Sequence, residues 1–177
     1  MDWNYCPYCG GELQPNNEHS LVCVSCHKAH YFNPKGTVGI VFIDKDDKIV
    51  LSIRAREPWK GKLDIVGGFV DLGESLEEAV VREIKEETGL SSGQYTPPVY
   101  VSSLYADYLF MGYNVPHIVA VYVSKLYAEP VAGDDVEGFI TCAPEDIVET
   151  DLSLAVLREH ILQAYRLNQS LEDTLHS

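Results

Sequence analysis

Between Gly68 and Leu90 the chain sets Glu74, seven residues, and then Arg82-Glu83-Ile84-Lys85-Glu86-Glu87-Thr88-Gly89, crowding carboxylates onto one side of a single predicted helix. Ser75 with Glu78 three residues on is a capping box that starts this helix, and Gly89 is a natural stop, so it spans Leu76–Thr88. On a helical wheel centred on Glu83, the apolar Leu76, Ala79, Val80 and Ile84 fall within about 100°, with Glu87 about 40° to one side and Glu86 about 60° to the other. Arg82, Lys85 and Glu78 point the opposite way on this wheel, and an ordinary amphipathic helix would keep its acids there too. Reading the three acids as solvated surface charges leaves two penalties. Like charges at i,i+3 and i,i+4 repel, and acids near a helix C-terminus oppose the macrodipole. Both disappear if the group binds Mg²⁺ or Mn²⁺, hard cations that prefer carboxylate oxygens.

The pattern G-x5-E-x7-R-E-U-x-E-E-x-G-U, with U bulky and apolar, resembles the Nudix box, and every specified position is matched from Gly68 to Leu90. Asp64-Ile65-Val66-Gly67-Gly68 likewise resembles that family's leading strand and glycine loop, with Val66 where a Pro is often found. Gly67 and Gly68 still permit a tight turn and a close backbone approach. The resemblance implies hydrolysis of a nucleoside diphosphate linked to another group X, giving a nucleoside monophosphate and X-phosphate. It implies Glu83 and Glu87 as direct metal ligands beside the Gly67 carbonyl, and Glu86 as a further ligand or the base that handles the attacking water. Gly68 and Glu74 are implied as support. Arg82, turned away on the wheel, reads as an ion-pair partner fixing helix and loop. Divalent ions would bridge the phosphate oxygens, activate water and neutralise the leaving group.

Cys6-Pro-Tyr-Cys9 and Cys23-Val-Ser-Cys26 form two C-x2-C pairs. Each short knuckle can aim two thiolates at one tetrahedral Zn²⁺, and a segment this small needs the metal to fold. Two disulfides are the competing reading, disfavoured because the N-terminus carries no secretion signal pattern, which also makes a cytoplasmic location the default. His27 and His30 read as surface or packing residues, and Cys142 as a small core residue. Only Lys28 and Lys35 are basic in the first 36 residues, so a scaffold role for the ribbon is preferred over nucleic-acid binding. The ribbon-then-box order is similar to that of NADH pyrophosphatases of the Nudix family, and the resemblance extends to an expected homodimer.

A net charge of −14 argues against a duplex nucleic-acid partner, whose phosphates need Lys and Arg in number. No apolar run approaches the length of a bilayer span. Tyr31 to Gly36, with Pro34, is a junction. Strands are expected at residues 37–43 and 48–54, joined as a hairpin through 44–47, and at 99–105, 117–124 and 138–141. A second long helix is expected over 151–167, with Leu154, Leu157, Ile161 and Tyr165 as its buried stripe. The fold class is α/β: a Nudix α/β/α sandwich with a mixed sheet, preceded by a small zinc ribbon. The expected divisions are 1–34 for the ribbon, 35–168 for the hydrolase domain and 169–177 for a polar, fraying tail.

Tyr100, Tyr105, Tyr108, Phe110, Tyr113 and Trp59 are candidates for stacking on a base, against the plainer reading that strand aromatics fill cores. Residues 102–112 do not match the Ser-Gln-Pro-Trp-type motif of NADH pyrophosphatases. ADP-ribose, other nucleotide sugars, dinucleotides and nucleoside triphosphates therefore stand beside NADH as substrates. Asp134, Asp135 and Glu137 occur where such enzymes place an extra acid from a later loop. Asp135 is the choice among them, with an ordinary Gly133-Asp-Asp turn as the alternative. A nucleotide sensor without catalysis is the rival function, and isomerisation of an isoprenoid diphosphate is a third.

Overall fold

The structure is a computed structural model that describes residues 3–110, 112–133 and 135–175. It divides into two compact units, Met1–Pro34 and Lys35–Ser177. The first is a three-stranded antiparallel sheet of β1 (Leu13–Asn17), β2 (Ser20–Cys23) and β3 (Ala29–Tyr31). Its buried apolar cluster consists of Cys6, Leu13 and Cys23, with Leu21 and Cys26 partly buried against it. So small a core cannot offset the chain entropy of some thirty residues without a further tie.

The second unit is built on β4 (Lys35–Ile43), β5 (Ile49–Arg54), β6 (Leu63–Asp64), β7 (Val66–Phe69), helix α1 (Leu76–Thr88), β8 (Val99–Phe110), β9 (Tyr113–Lys125), β10 (Val136–Cys142) and helix α2 (Leu157–Leu175). The sheet runs β10-β5-β4-β9-β8, with β6 added to β5 and β7 to β4. Among the named strands of the described residues only β4 and β9 pair in parallel, from Lys35↔His117 to Ile43↔Lys125, which makes the sheet mixed. Alternation along β4 then builds two cores. Val38, Ile40 and Phe42 pack with Ala79, Val80 and Ile84 of α1, whereas Val41 and Ile43 pack with Leu157, Ile161 and Ala164 of α2. Helix on sheet on helix is the expected α/β/α sandwich.

One irregularity creates the site. β4 and β5 pair only beside their turn, at Phe42↔Val50 and Ile43↔Ile49. Beyond it they part, and the gap is filled from the other side: β7 pairs β4 through Thr37↔Phe69 to Ile40↔Val66, and β6 pairs β5 at Ser52↔Asp64. The split brings Asp64, Gly67 and Gly68 beneath α1.

The second helix corrects the expected span of 151–167. Residues Glu149–Asp151 form a 3₁₀ turn, Leu152 bridges Leu63 in parallel, and the Ser153 N–H donates to the Leu63 carbonyl at 2.8 Å. Pairing with the end of the sheet holds this stretch extended, so Leu154 packs on the core from outside the helix. At the other end the helix runs to Leu175 through most of the expected tail, because Asn168 is buried and Glu172 pairs with Lys125. The last two residues of that tail lie outside the described residues. β8 and β9 are longer than expected and stay paired to Phe110↔Tyr113. Among the described residues no helix is long and apolar enough to cross a membrane.

The capping box on α1 is present in both directions: Ser75 Oγ accepts from the Glu78 N–H, and Glu78 Oε2 accepts from the Ser75 N–H at 2.8 Å. Gly89 closes the helix in the left-handed region at φ 67°. Replacing Ser75 by Ala should cost about 1 kcal/mol of stability in equilibrium denaturation. An unchanged midpoint would mean that tertiary packing alone fixes the start of the helix.

Candidate active site and cysteine cluster

α1 enters directly from the β7 loop, and the contact between them is too close for side chains on the glycines. A Cβ on Gly67 would run into the Val38 carbonyl oxygen, and one on Gly68 into the Glu83 carboxylate. The Gly67 N–H donates to Glu87 Oε2 at 3.0 Å. Glu83 is buried with its side chain 10% exposed, while the Glu86 side chain is 58% exposed. The expected inward grouping therefore holds for Glu83 and in part for Glu87, and Glu86 sits at the rim.

Arg82 departs from its place on the wheel. Its Nη1 lies 2.6 Å from Glu83 Oε1 and 3.1 Å from Glu86 Oε2, while Nε and Nη2 each donate at 2.9 Å to the two oxygens of Glu74. Nη2 also reaches the Phe69 carbonyl at 2.9 Å. A wheel gives the direction of Cβ, but a long side chain leans toward the helix N-terminus and can fold across its own face. The guanidinium thus ties loop, helix and acids together. It holds the Glu74 carboxyl below the usual range, and Glu74 also accepts from the Asp71 N–H.

Burial pushes the Glu83 carboxyl up against the opposing pull of Arg82. Glu87 is pushed up to about 8 by burial, with the Gly67 N–H opposing and the charges of Glu83, Asp64 and Asp135 adding to the rise. Among the described residues these acids do not converge as three ligand atoms within 4.8 Å, because Arg82 stands between Glu83 and Glu86 and Glu87 turns to Gly67. The donor set nevertheless fits a hard cation in kind. Its oxygens are carboxylates lining one cleft, with the Arg82 guanidinium seated on Glu83 and Glu86.

The cleft has a volume of about 450 Å³, and its lining includes Gly67, Gly68, Glu83, Glu86, Glu87 and Asp135. Asp135 comes from the later loop as expected. That loop is pinned to α1 by the Val131 N–H on the Thr88 carbonyl and the Gly133 N–H on the Glu87 carbonyl, and to β5 by the Ala55 N–H on the Asp135 carbonyl. The Asp135 carboxylate pairs with Arg56 at 2.7 Å. Asp134 and the side chain of Phe110 lie outside the described residues.

Of a second group of lining residues, sequence reasoning named Trp59 and Tyr108 but missed Arg54, Phe69 and His117. Arg54 and Asp64 pair there at 2.9 Å, both side chains mostly buried, with Trp59, Phe69, Tyr108 and His117 around them. Burial alone would lower the Arg54 pKa, and the charge and hydrogen bond of Asp64 together with those of Tyr108 turn the shift upward. Trp59 sits at φ 63°, a conformation uncommon for an aromatic residue. Of the remaining stacking candidates, Tyr100, Tyr105 and Tyr113 are exposed and do not line this cleft.

In the N-terminal unit Cys6, Cys9, Cys23 and Cys26 bring four sulfurs within 4.8 Å of one another. Cys6 Sγ is 3.7 Å from Cys26 Sγ and Cys9 Sγ 3.5 Å from Cys23 Sγ, far beyond a disulfide and near the edge of about 3.8 Å that four thiolates make around a tetrahedral ion. The cluster could hold a metal. The Cys26 backbone N–H pulls the Cys23 thiol down to about 6, against the opposing effect of desolvation. His30 is buried against the cluster with Nε2 3.4 Å from Cys6 Sγ, whereas His27 is exposed. Cys142 is half-buried against the α2-side core.

The NUDIX domain family profile matches residues 33–165, most of the chain, and the protein belongs to the NUDIX family. A curated relative, "NAD-capped RNA hydrolase NudC" of Escherichia coli O1:K1 / APEC, is 39% identical over 87 residues, which cover 49% of this chain and 33% of the relative. The same identity and coverage hold for NudC of Shigella boydii serotype 18. The match thus spans about a third of the length of these relatives. In fold the chain is similar to a NUDIX hydrolase from Nitrosomonas europaea, with TM-score 0.66 and 24% identity over 93% of each chain. It is also similar to the NUDIX domain of Shewanella oneidensis NrtR complexed with ADP ribose, with TM-score 0.59 and 20% identity over 76% of this chain and 88% of that one.

The raised Glu87 pKa has a sign that can be checked. The unfolded carboxyl titrates near 4.3 and the folded one at about 8, so the folded state keeps a proton that the unfolded state loses, and stability falls as pH rises between those values. Without added divalent ion, Glu87→Gln should therefore stabilise the protein at pH 8 by about 1 kcal/mol or more, and by little at pH 5. Thermal unfolding across this range measures it; equal effects at both pH values would contradict the assignment.

Proposed function

We propose that this protein is a metal-dependent pyrophosphohydrolase that splits a nucleoside diphosphate linked to X, of the NADH or ADP-ribose kind, into a nucleoside monophosphate and X-phosphate. The observation that carries the reading is one cleft lined both by Glu83, Glu86, Glu87 and Asp135 and by aromatic rings. An anionic diphosphate cannot approach those acids without a cation between them. The names of the curated NudC relatives support a substrate containing the NAD pyrophosphate.

Glu83 and Glu87, with Gly67, would hold Mg²⁺ or Mn²⁺. Bound there, the ion would polarise the phosphate oxygens and supply an activated water. Glu86, at the rim, would serve as the base for that water or as a further ligand, with Asp135 as the supporting acid of the facing loop. Glu74 acts through Arg82, whose bidentate pairing keeps the guanidinium at the mouth of the acid group. Zn²⁺ is assigned to the four cysteines as a structural ion, and thiols kept reduced for it fit a cytoplasmic setting. A homodimer and the exclusion of duplex nucleic acid belong to the same reading.

Two measurements test it. With Mg²⁺ or Mn²⁺, NADH, ADP-ribose, dinucleoside polyphosphates and nucleoside triphosphates are assayed side by side. Turnover of at least one is expected, with a loss of a thousandfold or so in Glu83→Gln and Glu87→Gln; binding without turnover throughout would instead make the protein a sensor. Removing zinc with a strong chelator should abolish amide protection in residues 3–34 and leave the sheet of the second unit protected. Retained protection in the ribbon would contradict a structural metal.

A further inference from the structure

The two cysteine knuckles of the N-terminal unit are finished by different donors. Cys23 Sγ accepts from the Cys26 backbone N–H at 3.5 Å, a bond made within its own knuckle. Cys6 Sγ meets a side chain from the edge strand of the sheet, His30 Nε2 at 3.4 Å. His30 is the middle residue of β3, set opposite Leu21 of β2, and it is buried while Ala29 and Tyr31 on either side are exposed. Strand alternation therefore turns the imidazole inward. Two rings flank it: Tyr8, inside the first knuckle, with centroids 5.7 Å apart, and Trp3, edge-on at 6.4 Å. Trp3 is braced in turn by Phe32 at 5.8 Å. A buried imidazole N–H is costly unless it finds an acceptor, and the sulfur is one.

We propose that His30 is a positioning residue for the metal of the cysteine cluster, its Nε2–H donating to the Cys6 thiolate so that this sulfur is aimed and part of its charge is dispersed. The inference rests on reading the four cysteines as a Zn²⁺ site. A thiolate bound to Zn²⁺ accepts hydrogen bonds and has none to donate, so the proton of this contact belongs to Nε2. Four thiolates leave the site with an excess of negative charge, which N–H donors around the sulfurs stabilise. Four sulfurs within 4.8 Å of one another already complete a tetrahedron, so the imidazole takes a place outside it and is not a ligand. In a unit whose buried core is Cys6, Leu13 and Cys23, a donor that steadies the metal also steadies the fold.

The test uses the full chain, with Zn²⁺ affinity measured by competition against a chromogenic chelator and the coordination read from the absorbance of Co²⁺-loaded protein. His30→Phe keeps a ring against Trp3 and Tyr8 but has no N–H, whereas His30→Gln offers an amide N–H in place of Nε2. His30→Phe should bind Zn²⁺ about ten- to a hundredfold more weakly, and His30→Gln should stay within about threefold of wild type. At saturating Co²⁺ all three should show the visible bands of tetrahedral thiolate coordination. In His30→Phe the sulfur-to-cobalt charge-transfer band should move to longer wavelength, because a thiolate without its hydrogen bond gives up electron density more readily. That shift is read with every molecule loaded, so it separates the lost N–H from any loss of folding. Unchanged affinity and an unmoved band in His30→Phe would overturn the positioning role. A visible spectrum that changes coordination type in both variants would overturn it too, by making His30 a ligand. Wild-type protein that takes up neither Zn²⁺ nor Co²⁺ would overturn the zinc reading itself, and this inference with it.

Discussion

The junction between β7 and α1 is where backbone and carboxylate chemistry meet, and the rest of the second unit is arranged to permit it. Gly67 and Gly68 lie so close to β4 and to Glu83 that no side chain could be added at either position without displacing one of them. The Gly67 N–H on Glu87 and the Arg82 fork on Glu74, Glu83 and Glu86 are the polar ties across that contact. Buried acids are costly unless paired, and here Arg82 of the same helix partners Glu83 while the Gly67 N–H partners Glu87. This arrangement leaves acids that are held in the metal-free fold yet still accessible from a cleft.

The split between β4 and β5 gives that junction its surroundings. Because the two strands part after one turn, β6 and β7 enter the gap and place Asp64 beside Arg54 and Gly67 beside Glu87 within a few residues of each other. A continuous hairpin would have closed the sheet and removed the cleft. The loop after β9 then covers the C-terminal end of α1 through backbone hydrogen bonds to Thr88 and Glu87, bringing Asp135 to the same opening. Carboxylates and aromatic rings therefore line one cleft.

Much of this was legible in the sequence where the signals are local. Ser75, Glu78 and Gly89 fix the ends of α1, and the alternating apolar runs mark β4 and β5, because capping and strand periodicity act within a few residues. The four cysteines announce their cluster through spacing alone. Errors arose where a distant partner decided the outcome. Leu154 belongs to the apolar stripe of α2 by spacing, but Leu63 captures Leu152 and Ser153 in extended pairing and delays the helix. Asn168 and Glu172 look like tail residues until the core and Lys125 are present. Arg82 was misplaced because a wheel carries no side-chain length. Trp59 and Tyr108 were named singly, but the Arg54–Asp64 pair has no spacing to recognise, since β5 and β6 meet only in the sheet.

The central claim is that Glu83 and Glu87 become ligands of a divalent ion once Arg82 gives way. A crystal soaked in Mn²⁺, with anomalous diffraction recorded at the manganese edge, addresses it directly. The account predicts an anomalous peak about 2.2 Å from carboxylate oxygens of Glu83 and Glu87, with the Arg82 guanidinium withdrawn from Glu83. No peak in the cleft, with Arg82 still seated on Glu83 and Glu86 at saturating Mn²⁺, would contradict it.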